Sequence, residues 1–146
     1  MLKRVDIKDI TQLMQVLNSY GTSVFFRGHA DANWKLESSL ERVLGKSWSA
    51  EKARRYEDYS IRTFKSKFHL YDRENITPTT KLEWMSLMQH YGVPTRLLDF
   101  TESPYVALYF ALEAYDYNTA NDLSVIAVDW VELNASSPKR KCGVKW

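Results

Sequence analysis

Cysteine is almost missing from this chain: Cys142 is the only one among 146 residues. A single thiol cannot close an internal disulfide, so a reducing compartment, the cytoplasm, is expected. Its place near the C-terminus also argues against a thiol nucleophile. Long apolar runs are missing too. Nothing approaches the roughly 18 residues that a membrane-spanning helix needs, and the opening MLKRVDIKDI lacks a signal peptide's apolar stretch. No membrane partner is expected. The five glycines never fall into GxGxxG or a Walker loop, which disfavours a Rossmann oxidoreductase and a nucleotide triphosphatase. Histidine and cysteine show no HxxxH and no CxxC, and no carboxylate triad stands out, so no metal is expected. An excess of one charge is also lacking. Twenty Lys and Arg against 18 Asp and Glu leave a formal charge of +2, without the basic face of a nucleic-acid binder. Lys139-Arg140-Lys141 sits in a polar tail and reads as a solvated terminus.

What is present is ordinary for a globular chain that buries one core. Hydrophobic residues make up 45 % and charged ones 26 %, as in one domain of common size. Aromatics are plentiful at 14 %. Asp6 or Asp9 caps a first helix with Ile7, Ile10, Met14 and Leu17 at helical spacing. Ser23 to Phe26 is a short β-branched and aromatic run between Gly21 and Gly28, expected to be a strand with Arg27 at its carboxyl end. His29 to Lys35 reads as a loop with Trp34 folding back as an anchor. Glu37 to Leu44 makes one or two helical turns, ended by Gly45. Ser49 caps a long helix from about Ala50 to Tyr71, with Ala53, Tyr56, Ser60, Phe64 and Phe68 on one face. Asn75 to Thr80 is a linker.

The stretch from Thr80 to Tyr91 forms the next helix, with Trp84, Leu87, Met88 and Tyr91 on its apolar side. Gly92 takes the position after its end, and Pro94 cannot continue it. Leu97-Leu98 is expected to be a short buried strand. Ser103-Pro104 starts another helix, a capping hydroxyl followed by proline at the first helical position. Ala107, Phe110, Ala111 and Ala114 give that helix a small-residue face. Asp116 to Asp122 is a loop, Ser124 to Val131 a strand, and little fixed structure is expected after Leu133. The expected architecture is α+β, a single small domain over residues 1–133 with helices on a short sheet, followed by a polar basic tail over 134–146.

Two places concentrate chemistry. Arg27, followed by a glycine that permits close backbone approach, suits a bidentate grip on a phosphate or carboxylate. The other reading is a structural ion pair with Asp31 or Asp99. Arg96, Asp99, Thr101 and Glu102 form the second group. Asp99 and Thr101 would share a side of a continuing strand. Thr101 or Ser103 equally serves as a cap, and Asp99 as a partner for Arg96. A helix amino terminus facing the Arg27 strand end would favour an anion such as a dinucleotide pyrophosphate. His90, at a helix end, is either a base or a structural cation near the helix C-terminus. His29 follows Arg27-Gly28 and is a further candidate.

Phe26-Arg27-Gly28 resembles the triplet that names the FRG domain family. The resemblance continues through Asn33-Trp34-Lys35-Leu36 and Ser38-Ser39-Leu40-Glu41-Arg42. It resumes at Gln89-His90-Tyr91-Gly92-Val93-Pro94-Thr95-Arg96-Leu97-Leu98-Asp99-Phe100-Thr101, then at Pro104 and Ala107-Leu108-Tyr109-Phe110-Ala111. Phe100 stands where that family often has tryptophan. A more distant likeness is to ADP-ribosyltransferases of the arginine-serine-glutamate type, and it implies an abbreviated form of their fold, with NAD as cofactor. Arg27, with Gly28, His29 and Arg96, would hold the NAD phosphate or ribose, and Thr101 would supply the second-strand hydroxyl beside Asp99. Tyr105 or Tyr109 would stack on nicotinamide. Such enzymes also need a late glutamate, and Glu132 is the only one late enough. An activity of that kind would suit a toxin or a protein of phage–bacterium conflict. The alternative is a non-catalytic module on the same fold that binds a small dinucleotide or a protein target. A metal-dependent nuclease or hydrolase using Asp99, Glu102 and His90 is the third reading.

Overall fold

The computed structural model describes residues 4–70 and 78–136. Its elements run α1 (Ile10–Asn18), β1 (Val24–His29), α2 (Ser39–Leu44), a single 3₁₀ turn at Gly45–Ser47, α3 (Ala50–Phe68), α4 (Lys81–His90), α5 (Pro104–Glu113), β2 (Ser124–Asp129) and α6 (Trp130–Ser136). The chain is α+β, with the sheet reduced to one antiparallel pair among the described residues. Contacts divide it into two compact units. One holds the residues up to Trp34 and those from Asp99 onward, and the other runs from Lys35 to Leu98.

The first unit carries the sheet. β1 and β2 pair from Val24 opposite Asp129 to His29 opposite Ser124, with Arg27 opposite Ile126. On its other edge β1 is joined by one residue: Phe26 N–H donates to the Thr101 carbonyl at 2.7 Å, and Thr101 N–H donates back to Phe26 at 2.8 Å. Side chains alternate across a strand, so Val24, Phe26 and Gly28 share one face. There Val24 and Phe26 close on Ala107 of α5, with Val125 and Ala127 at the margin. Ala107 and Ala111 are the buried residues of α5, as the small-residue pattern predicts, whereas Phe110 and Ala114 stay exposed. Gly28 explains how close the helix comes. A β-carbon on it would lie 1.9 Å from the Ala107 carbonyl oxygen and 2.8 Å from the Ala111 nitrogen.

The second unit is helical. Ile61, Met85 and Met88 form its core, bordered by Phe64, Trp84, Val93 and Leu97. Phe64 and Phe68 stack at 5.5 Å between centroids, and Trp84 meets Phe68 edge-on at 5.6 Å. α3 buries Ala53, Glu57, Ile61 and Phe68, so the inward stripe is rotated from the expected one and contains a carboxylate.

Local signals placed the helix starts well. Asp9, Ser38, Ser49, Thr80 and Ser103 each cap a helix through the side-chain oxygen. Ser38 with Glu41 and Thr80 with Glu83 complete reciprocal capping boxes. Gly92 adopts the left-handed φ of 76° just past α4, as expected for a residue beyond a helix end. The strands were less legible. β1 continues through Arg27 and Gly28 to His29, so Arg27 lies inside the strand and His29 ends it. Leu97-Leu98 is half-buried irregular chain rather than a strand. Its carbonyls and amides find no ladder, and pairing begins only at Thr101. β2 stops at Asp129, whose carboxylate accepts from the Val131 N–H at 2.8 Å and turns the chain into α6. Trp130 to Leu133 are therefore helical, and order persists to Ser136. The expected end of α3 at Tyr71, residues 75–77 of the linker and the tail from 137 onward lie outside the described residues.

Two predictions follow from this packing. Gly28→Ala forces backbone apart, because no side chain can rotate away from a carbonyl 1.9 Å from the new carbon. The expected loss is about 3 kcal/mol or more, read as a lower denaturation midpoint at unchanged slope. The second concerns acid. Glu41 accepts from Ser38 and Glu83 from Thr79 and Thr80, and these bonds hold both carboxyls below the ordinary carboxylate range. A lowered folded-state pKa gives stability that is full above the unfolded value of about 4.3 and is lost as pH falls through the folded one. The melting temperature is expected to hold above about pH 5 and to drop below about pH 4. In the Glu41→Gln/Glu83→Gln double variant the drop is shallower.

Candidate functional site

The alternation that aims Gly28 at α5 sends Arg27 and His29 out of the other face of β1. Arg27 is half-buried. Its Nη1 donates to the Asp99 carbonyl oxygen at 2.7 Å, and its Nε donates to His29 Nε2 at 3.4 Å. One acceptor is a backbone carbonyl and the other a ring nitrogen. Among the described residues no carboxylate forms an ion pair with Arg27. Asp31 is engaged elsewhere, accepting from the Asn33 N–H at 2.8 Å and from Asn121 Nδ2 at 3.0 Å. The expected pairing of Arg27 with Asp31 is thus replaced by these bonds, and toward Asp99 the guanidinium bonds the backbone carbonyl.

Thr101 stands beside this arginine as the isolated bridge residue paired with Phe26. Its hydroxyl accepts from the Ser103 N–H at 3.2 Å, and Ser103 in turn caps α5 through the Val106 N–H. The hydroxyl thus shapes the entry to the helix. Asp99, two residues earlier, supplies the carbonyl that holds Arg27. Glu102 is exposed on the same turn. Arg27, His29, Asp99 and Thr101 are thus brought together.

Other expected members make different contacts. Gly28 admits the α5 backbone, on the face opposite Arg27. Tyr105 and Tyr109 project from α5 roughly opposite Ala107, away from the sheet. Tyr105 donates to Asn18 Oδ1 at 2.7 Å and Tyr109 to Glu113 at 3.0 Å. Glu113 also raises the Tyr109 phenol above its ordinary pKa. Glu132 is in the first turn of α6, beyond Asp129, which pairs with Val24. That is three pairs along the ladder from Arg27, about 10 Å of strand. Arg96 and His90 belong to the helical unit. His90 is exposed in the last turn of α4, its ring edge-on to Tyr91 at 5.4 Å. Among the described residues no three His, Cys, Asp or Glu side chains gather as ligands for a metal ion.

Arg96 has a partner that the sequence did not suggest. It makes a two-pronged pair with Glu57, Nε to Oε1 and Nη2 to Oε2, the latter at 2.6 Å. Glu57 is only 2 % exposed, and Lys81 approaches it at 3.5 Å while bonding Asp58 at 2.9 Å. The Glu57 carboxylate raises the Arg96 guanidinium further above its already high pKa. Nearby, buried Thr95 ties the loop to α2. Its carbonyl accepts from the Leu40 N–H at 3.1 Å, its N–H donates to Ser39 Oγ at 3.0 Å, and its hydroxyl donates to Gln89 at 2.5 Å. Most of the polar residues from Gln89 to Arg96 are thus tied into the frame of this unit. The signal for Glu57 was available: Ala53, Glu57 and Ile61 recur every four residues, so the carboxylate falls on the buried stripe.

The model of the FRG domain matches residues 22–120. The chain belongs to the FRG domain family. The matched span covers more than half the sequence and runs from just before β1 past the end of α5, leaving α1, β2 and α6 outside it. No curated protein and no solved structure matches the chain. Within this FRG domain the named triplet has a physical division of labour. Phe26 fills the core, Gly28 seats α5, and Arg27 is aimed the other way.

The buried carboxylate makes a specific prediction. Arg96→Met leaves Glu57 enclosed with only Lys81 at a distance, and is expected to destabilise the domain by about 3 kcal/mol. The Glu57→Met/Arg96→Met double variant removes both charges and should recover most of that loss. Urea denaturation of the wild type and both variants measures it.

Proposed function

We propose that this FRG domain is a binding module for an anionic small molecule, held by Arg27. One observation carries the reading: Arg27 is a half-buried guanidinium bonded to a backbone carbonyl and an imidazole nitrogen, and among the described residues no carboxylate forms an ion pair with it. A cation kept out of bulk water without a counter-charge is costly, and a phosphate or carboxylate of a ligand offsets that cost. The Nη2 group makes no hydrogen bond to the described residues and is available to donate. A dinucleotide such as NAD is the natural first ligand to try, since its pyrophosphate carries the required charge.

The transferase reading keeps one supporting feature, the pairing of Phe26 with Thr101, which sets Arg27 beside a hydroxyl-bearing strand residue. The Thr101 hydroxyl is engaged in the turn to α5, and Glu132 stands in α6, past Asp129 at the end of the ladder. Developing positive charge on a ribose needs a carboxylate poised against it. Binding without group transfer is the reading these positions favour.

Calorimetric titration with NAD and with pyrophosphate tests it. Heat is expected for the wild type, with affinity falling at least about tenfold in Arg27→Ala, the loss of one charge-assisted bond. Circular dichroism confirms that the variant stays folded. Absence of heat with both ligands removes the proposal. Release of nicotinamide from NAD, lost in Arg27→Ala, would replace it with the transferase reading.

A further inference from the structure

We infer that Trp34 forms a second wall of the Arg27 site, so that the ligand is a small nucleoside phosphate: its phosphate meets the guanidinium and its ring stacks on the indole. This deepens the anion-binding reading and rests on it.

Three side chains form a row on the first unit. Arg27 Nε is 3.4 Å from His29 Nε2, and the His29 ring lies 6.0 Å from the Trp34 ring, tilted by 57°. His29 is buried, while Trp34 is 55 % exposed. The imidazole thus supports the indole from one side and the guanidinium from the other. The two contacts bring guanidinium and indole within roughly 10 Å, the scale on which basic groups and aromatic platforms share one nucleotide.

Trp34 is also held in place. The loop leading to it is fastened by the Ala32 N–H donating to the Asp122 carbonyl at 2.6 Å and by Asn121 Nδ2 on Asp31 at 3.0 Å. Trp34 itself donates its N–H to the Asp31 carbonyl at 3.1 Å. An exposed indole fixed by its backbone loses little freedom when a ring settles on it, which favours binding. An anion without a ring would engage Arg27 alone and leave Trp34 indifferent. A nucleic-acid strand would call for a run of basic residues along a groove, and the formal charge of +2 does not supply one.

Calorimetry with AMP and with ribose 5-phosphate isolates the ring, since the two differ by the base alone. The wild type is expected to bind AMP roughly tenfold more tightly than ribose 5-phosphate, the usual gain from stacking one base on an aromatic side chain. Trp34→Leu should erase that preference and leave ribose 5-phosphate binding unchanged, and Trp34→Phe should keep most of it. Arg27→Ala should weaken both ligands alike. Equal binding of AMP and ribose 5-phosphate by the wild type, or AMP binding that survives Trp34→Leu intact, overturns the role of Trp34 while leaving an Arg27-dependent anion site standing. If neither ligand binds the wild type, the role of Trp34 and the anion site fall together.

Discussion

The backbone of α5 rests on Gly28 with no space for a β-carbon, and much of the first unit depends on that contact. Because strand side chains alternate, seating the helix on Gly28 commits Val24 and Phe26 to the same core and Arg27 and His29 to the opposite face. The small residues Ala107 and Ala111 complete the fit from the helix side. A larger residue at any of these positions would lift the helix. With it would move Ser103 and Thr101, which connect the helix start to the edge of β1. The position of Arg27 relative to Thr101 and the Asp99 carbonyl is therefore set by packing on the far side of the strand.

The helical unit is organised around a different constraint, a carboxylate that burial would expel unless cations met it. Glu57 sits where α3 turns inward, and Arg96 and Lys81 supply the compensation from the loop after α4 and from the first turn of α4. Hydrogen bonds from Thr95 to Ser39, Leu40 and Gln89 add a second tie between that loop and its neighbours. A pair of this kind adds little net stability over apolar packing but is costly to break on one side. Its effect is to fix which loop geometry accompanies which helix face.

What was legible in the sequence follows from the range of the forces involved. Caps at Asp9, Ser49 and Ser103 act over three residues, so the local sequence announces them. The glycine after α4 and the proline at the start of α5 are equally local. Strand pairing is not. Leu97-Leu98 looks like a buried strand because apolar pairs occur in both strands and half-buried loops, and nothing local says whether a partner edge is present. Thr101 meets Phe26 across 75 residues of chain. Likewise Val131 continues a strand pattern until Asp129 caps the next helix with its own side chain. Glu57 was overlooked because glutamate in a helix rich in Lys and Arg reads as surface, although its four-residue spacing from Ala53 and Ile61 placed it inside.

The same distinction decides how much the Arg27 neighbourhood can do. Arg27 bonds a carbonyl and an imidazole, and the hydroxyl of the bridge residue Thr101 is already bonded to the backbone. These orient a guanidinium that, among the described residues, has no carboxylate ion-paired with it, which suits holding an anion. Cleaving a glycosidic bond asks for something more, a carboxylate set against the developing cation. Glu132, the late glutamate that the transferase likeness nominates, stands in the first turn of α6, past the turn that Asp129 imposes at the end of β2. An arginine held by a carbonyl and an imidazole, with a supported indole two contacts away, has the parts of a recognition surface: a charge to attract and a ring to select.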